Sequence, residues 1–512
     1  MKLYIRYCLS ICLAGMMQPV WSQQISQVLI AVNSNNTFQT ISNFGASDAW
    51  AAQFVGNWPD EKKNAIADWF FSLDTLPDGS PRGIGLSQWR YNIGAGSMEQ
   101  AQNSSIRDEW RRAAAFVPGK KLQPREVESQ LWFLKAAKKR GVEQFLGFYN
   151  SPPVWLTKNG KAFATAAQCN IDSSKFKDFA GYTAAVIKGI RKITGVTFNY
   201  ISPVNEPQWD WSDGGQEGSP YPNSALTGIA RAFNEELLRN KLSTRLIMPE
   251  AASIQYLVEK GDKPGRSRQL RELFHPESVG YIGNLPAMAP VVAGHSYFTT
   301  SPWHKAVTLR NAVRDTVSAI GNLEFWQSEY CILGDNGGEI NGNKKDTGMK
   351  AALYMARVIH TDLTAANAAA WQWWTSISAY DYKDGLVYID KQKTDGRFSD
   401  SKMLWVLGNY SRFVRPGMKR IETTSNTDNI YVSGFANTTG NKMVLVIINP
   451  GTEAIQASWT GNAGTGTVAY VTDVANRLKK QSLAAASMLL PAESVVTIVI
   501  GSNNSLAKKS TK

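Results

Sequence analysis

The chain has 512 residues, 43% of them hydrophobic and 19% charged, with a formal net charge of +13 at neutral pH. That length and apolar content allow a large core shared between two domains, and the absence of low-complexity tracts excludes extensive disorder. A basic balance suits an anionic polysaccharide, a nucleic acid or lipid headgroups, but the lysines and arginines are dispersed and form no cluster interleaved with aromatics, which argues against nucleic acid.

At the N-terminus, Lys2 and Arg6 precede an apolar run from Tyr7 to Met17, and Val20-Trp21-Ser22 supplies a cleavage site. Residues 1–22 therefore read as a secretory signal peptide, which predicts a secreted or periplasmic mature chain. Ile11 is a poor neighbour for lipidation of Cys12. No later stretch is apolar for long enough to span a bilayer, so stable membrane insertion is not expected. Cys8 and Cys12 leave with the leader, and Cys169 and Cys331 are too few for a disulfide scaffold or a thiolate cluster; whether they bridge is open. Only 4 histidines occur in the whole chain, which argues against a histidine-built zinc site, and no metal or organic cofactor is expected.

The segment 23–40 is strand-like and is expected to add an edge to a later β module. From 41 to 413, short β-prone runs alternate with helical patterns. Strands are predicted over Ser42–Ala46, Leu86–Asn92, Phe145–Asn150, Phe198–Val204, Arg245–Met248, Val291–Tyr297, Leu323–Ser328 and Ala368–Trp373, with helices at 60–71, 123–139, 176–191, 225–240, 303–319 and 344–364. Eight strands with intervening helices is the count of a closed (β/α)8 barrel; an open doubly wound sheet competes, but no glycine-rich dinucleotide loop accompanies it. Beyond Pro416 the helices cease. "NIYVSGFA", "KMVLVIINP", "GTVAYVTD" and "ESVVTIVI" are short strands between Asn, Gly and Thr turns, which predicts a β-sandwich over 414–504 and a basic tail over 505–512.

Barrel active sites gather at the C-terminal strand ends. Standing there are Arg90 and Asn92; Asn150, followed by Trp155; Asn205 and Glu206 in "ISPVNEPQWDW", followed by Trp209 and Trp211; Glu250, a reserve carboxylate; His295 and Tyr297; Glu329 and Tyr330; and Trp371, Trp373 and Trp374 in "WQWW". Glu206 and Glu329 end the fourth and seventh strands, on opposing parts of the rim. Glycosidic cleavage needs such a pair, one carboxyl to protonate the leaving oxygen and another to attack the anomeric carbon or activate water. The sequence gives no separation, so retention and inversion are both open. The 17 tryptophans exceed what packing requires and offer flat apolar platforms for sugar rings. A non-catalytic carbohydrate-binding protein would keep these tryptophans but would not need the carboxylates.

"RYNIGAG", "SPPVWLTKNG", "SPVNEPQW", "GHSY", "FWQSEY" and "WQWW" occur in the order found in glycoside hydrolase family 30, and from about 30 to 500 the chain resembles that family. The resemblance implies a barrel with a side β-sandwich and a retaining double displacement without a cofactor. It places the acid/base at Glu206 and the nucleophile at Glu329. It gives Asn205 a contact to the sugar 2-hydroxyl, Arg90 and Tyr297 a place beside the nucleophile, His295 a sixth-strand position, and Trp155 and Trp371 the lining of the glycone subsite. "NEPQWDWSDGGQEGSPY" resembles the subgroup acting endo on β-1,6-galactan side chains of arabinogalactan, with Gln216-Glu217-Gly218 at the rim of the aglycone cleft; xylan and β-1,6-glucan are the alternative substrates. The residues do not establish the equipment by which xylan-active members hold a glucuronic acid branch.

Overall fold

The computed structural model describes residues 27–117, 125–460 and 466–501. The expected leader (1–22) and basic tail (505–512) lie outside the described residues.

After an N-terminal strand β1 (Gln27–Thr40) come eight strands: β2 (Asn43–Ser47), β3 (Gln88–Asn92), β4 (Gln144–Phe148), β5 (Tyr200–Ser202), β6 (Arg245–Ala251), β7 (Met288–His295), β8 (Glu324–Tyr330) and β9 (Ala370–Ser378). Each pairs in parallel with the next, and β9 pairs with both β8 and β2, which closes the barrel and disposes of the open-sheet alternative. Two short strands, β10 (Gly385–Ile389) and β11 (Phe398–Asp400), extend from the β9 side. Most positions of the barrel strands are buried, as expected for parallel strands covered on one face by helices and filled on the other by side chains.

The helices follow from local sequence. Arg125–Lys139 buries Val127, Leu131, Leu134 and Ala137, and carries Glu126 and Glu128 in its first turn and Lys138 and Lys139 in its last, matching the helix dipole. Phe176–Thr194 ends at Gly195, whose φ of +69° suits a left-handed cap. Lys402–Ser411 starts at Ser401, whose hydroxyl accepts the Leu404 N–H. The helix expected from 344 begins instead at Met349. Lys344 adopts a φ of +62°, and the Lys345 N–H is captured by Asp381, so those residues are held in a loop.

The C-terminal strands are β12 (Lys419–Ser425), β13 (Tyr431–Ala436), β14 (Lys442–Asn449), β15 (Ile455–Trp459), β16 (Val468–Thr472), β17 (Lys479–Ser482), β18 (Ser487–Leu490) and β19 (Ser494–Gly501). With β1 they form one curved nine-stranded sheet. Contrary to expectation, β1 is not at an edge: it lies between β12, to which it is antiparallel, and β15, to which it is parallel. Alternation along β14 shows how the sheet serves two cores. Leu445 and Ile447 join the sheet's own cluster with Val28, Ile455 and Leu490, whereas Val444, Val446 and Ile448 join the barrel's. Asn409 clasps Thr497 across the junction, its side-chain amide donating to the hydroxyl at 2.9 Å and its carbonyl accepting from it at 2.7 Å. The barrel is thus braced on one flank, and its C-terminal mouth is left to the loops.

Candidate active site

Five ionisable side chains meet in the barrel mouth: Arg90 from β3, Glu206 from the loop after β5, Glu250 from β6, His295 from β7 and Glu329 from β8. The strand expected over Phe198–Val204 is only Tyr200–Ser202, so Glu206 sits four residues beyond it. It is held there at a φ of +46°, its N–H donating to the Glu250 carbonyl at 2.9 Å. Trp211, expected as a sugar platform, donates its indole N–H to the Glu206 carbonyl at 3.1 Å and packs over Gly218, where an added Cβ would lie 2.4 Å from the ring. Its visible work is to shape the loop that carries Glu206, and only glycine fits beneath it.

A carboxylate oxygen of Glu206, one of Glu329 and a ring nitrogen of His295 all lie within 4.8 Å of one another. A nucleophile that attacks directly needs a carboxyl separation of about 5–5.5 Å, whereas an interposed water needs about 6.5–9.5 Å. The gap here suits the former.

The two carboxyls have different partners. Glu329 accepts from Arg90 at 2.5 Å and from the Tyr297 hydroxyl at 3.1 Å. Arg90 also donates to the Asn205 side-chain oxygen at 3.1 Å and lies 3.6 Å from the Phe148 ring centre. Among the described residues, Glu206 has no arginine in hydrogen-bonding range. Burial raises its carboxyl above the ordinary value; His295 and Arg90 pull it down, and the charge of Glu329 adds to the rise. At Glu250 burial is outweighed by Arg90, His295 and Ser328, and its carboxyl falls to about 2. Burial also opposes charge on His295, but Glu329, Glu206 and Glu250 push its imidazole up to about 10. With Glu206 as the neutral acid, two cations (Arg90 and His295) balance two anions (Glu250 and Glu329). That neutrality makes such a buried cluster tolerable.

The other expected site residues divide into three groups. Asn92 and Asn150 lie buried in the mouth, Asn150 with both side-chain amide atoms lacking a hydrogen-bond partner among the described residues. Trp155 is half exposed and stands edge-on to Tyr182, above a groove of about 600 Å³ between helices Phe176–Thr194 and Asn223–Arg239. Trp209 stands edge-on to Phe298 at 6.1 Å on the Glu206 side. Trp371 and Trp373, expected as sugar-facing residues, are instead fully buried. Their indoles stack at 6.1 Å, with the N–H of Trp371 on Asp362 and that of Trp373 on the Asp384 carbonyl. No atom of either meets solvent, so neither offers a platform. Cys169 and Cys331 are both free thiols.

Sequence reasoning passed over Phe298, an exposed aromatic at a φ of +60° next to Tyr297. It kept Glu250 only as a reserve carboxylate. Phe298 carried one signal, a large apolar residue immediately after the β7 site residues.

Residues 27–388 match the family model described as O-glycosyl hydrolase family 30. The glucuronoxylanase XynC of Bacillus subtilis is 28% identical over 390 residues, which cover 73% of this chain and 77% of that protein. Among solved structures, a conserved exported protein from Bacteroides fragilis is similar with a TM-score of 0.84 at 33% identity, covering 92% of this chain and all of that one. The catalytic domain of a family 30 xylanase C from Talaromyces cellulolyticus matches at a TM-score of 0.65 and 21% identity, over 93% of this chain and 100% of the other, a likeness of fold.

Proposed function

The chain belongs to glycosyl hydrolase family 30 and is a retaining hydrolase of β-glycans, and from that premise we propose that it is a secreted, endo-acting enzyme whose substrate is a xylan-type polymer. The observation that carries the chemistry is the sub-5 Å approach of Glu206 and Glu329 in unlike surroundings. Glu206, raised by burial, donates its proton to the leaving oxygen. Glu329, steadied by Arg90 and Tyr297, attacks the anomeric carbon and forms a glycosyl-enzyme. Glu206 then takes a proton from water, which displaces Glu329 with a second inversion and net retention. Asn205, fixed by Arg90, faces the 2-hydroxyl in this reading.

The glucuronoxylanase relative supports xylan. The β-1,6-galactan expectation rests on the 205–221 run alone, so it stands behind xylan. Secretion is supported by the leader-like residues 1–22 and by the similarity to an exported protein.

The test is a panel of glucuronoxylan, β-1,6-glucan and de-arabinosylated arabinogalactan, with products sized over time and the first-formed anomer read by proton NMR. Oligosaccharides from xylan with a β anomer are expected. A first-formed α anomer overturns retention, and oligosaccharides released only from arabinogalactan overturn the xylan reading.

A further inference from the structure

Glu250 is the carboxylate of the buried cluster that the double displacement does not use. It is fully buried at the end of β6 with a φ of +55°. Its backbone carbonyl holds the Glu206 N–H, and its Oε2 accepts the Ser328 hydroxyl at 2.5 Å and faces Nε2 of His295 at 3.1 Å. On the other side of the same ring, Nδ1 lies 2.9 Å from Glu206 and 3.6 Å from Glu329. Arg90 hydrogen-bonds Glu329 at 2.5 Å and meets Glu250 only as a longer ion pair at 3.8 Å, whereas the Glu250 carboxylate oxygen has closer partners in Ser328 and His295. With no exposed surface, His295 acts through the carboxyls that flank it.

Resting on the reading of Glu206 as acid/base, we propose that Glu250 is a positioning residue that fixes His295 with Nε2–H turned away from the reaction and a proton on the Nδ1–Glu206 axis, so that the proton affinity of Glu206 follows the charge of Glu250. An anion at Nε2 requires N–H there, which leaves Nδ1 to face Glu206 at hydrogen-bonding distance, with Glu329 farther off at 3.6 Å. The titratable groups facing the ring are Glu206 from the β5 loop, Glu250 from β6, and Glu329 from β8, backed by Arg90 from β3. Tyr297 lies edge-on at 5.8 Å, with the thiol of Cys331 behind its hydroxyl at 3.9 Å.

The variant Glu250→Gln keeps the size and an acceptor for Ser328 while removing one negative charge. His295 then deprotonates at lower pH, and a neutral imidazole no longer favours ionised Glu206. Glu250 is separated from Glu206 by the ring, so losing the imidazolium outweighs losing direct repulsion. Glu206 therefore keeps its proton to higher pH. The expected result is that the alkaline limb of kcat/KM moves up by about one pH unit, with kcat at the optimum lowered about tenfold. Glu250→Asp, which keeps the charge, is expected to return the limb toward the wild-type position. An unchanged limb with reduced kcat, or a limb moved down, overturns the proposal.

Should Glu250→Gln not fold, carbon-labelled histidine in the wild-type enzyme decides. His295 is expected to remain protonated above pH 8, and titration near the ordinary value of about 6.5 overturns the proposal. Failure of the acid/base reading looks different: Glu206→Gln would then retain wild-type rates on unactivated glycans.

Discussion

Arg90 donates to Glu329 at 2.5 Å inside the barrel, and the same guanidinium reaches Asn205, the neighbour of Glu206. One planar fork therefore ties Glu329 on β8, the proposed nucleophile, to the loop that carries Glu206, the proposed acid. Arg90→Met leaves Glu329 and Glu250 as buried anions without their arginine. Loss of about 3–5 kcal/mol is expected in urea unfolding, together with loss of turnover. Arg90→Lys keeps the charge but not the fork. It should retain most of the stability while kcat falls about 100-fold, since a point charge cannot meet both partners. Equal stability in Arg90→Met and wild type would contradict the arrangement.

Glu206 and Glu329 separate by leaving group. Glu206→Gln should lower kcat on unactivated oligosaccharides by about 10²–10⁴-fold. A dinitrophenyl glycoside, which needs no proton to depart, should still form the glycosyl-enzyme. In Glu206→Ala, azide should accelerate turnover of that substrate and yield the β-glycosyl azide, because the truncated side chain leaves room for a small anion where the Glu206 carboxylate stood. Glu329→Gln should lose both substrates and gain nothing from azide in β product. An α-azide from Glu206→Ala would reverse the two roles.

These roles show what was legible in the chain and what was not. The eight strands were readable because strands buried on both faces concentrate apolar and β-branched residues, and the site carboxyls stand out as charges where such runs stop. The length of β5 was not. Glu206 depends on a φ of +46° and on a hydrogen bond to Glu250, and both are set by tertiary contact. The placement of β1 between β12 and β15 hid for a similar reason: its own alternation shows a half-buried strand but not its neighbours. Trp371 and Trp373 misled because a tryptophan at a strand end looks the same whether its indole faces a sugar or another indole. The role of Glu250 needed the histidine between it and Glu206, and residues 45 apart in the chain do not announce that.

Glu217 gives a pH-dependent prediction away from the chemistry. It is fully buried, accepts the Ser97 hydroxyl at 2.6 Å and the Ala95 N–H at 2.9 Å, and so ties the loop after Glu206 to the loop after β3. Burial, only partly offset by these donors, raises its carboxyl from 4.5 to about 7. A group raised on folding contributes fully below its unfolded value and loses that contribution as pH rises through the folded one. Stability from Glu217 is therefore expected to decline from about pH 4.5 to beyond 7. Glu217→Gln cannot ionise. Its Tm should lie below wild type at pH 4, where it lacks the full acceptor set, and the deficit should shrink by pH 8. A deficit that grows with pH in thermal unfolding would contradict the sign.

Phe298 combines strain with exposure, which makes stability and activity move separately. Its φ of +60° is a conformation that bulky side chains avoid at a cost of about 1–2 kcal/mol, yet its ring projects into the mouth beside Trp209 and Tyr297. Phe298→Ala removes the ring and keeps the strain. Phe298→Gly removes both, although glycine costs up to about 1 kcal/mol in unfolded-chain entropy. In denaturant the glycine variant should therefore equal or exceed the alanine variant, the reverse of their usual order. If the Trp209 and Phe298 rings receive a sugar as proposed, both should lose about tenfold in kcat/KM on polymer and much less on a short aryl glycoside. If alanine proves the more stable of the two, the left-handed backbone is not strained. If polymer and aryl substrates decline together, the ring serves the fold and not the glycan.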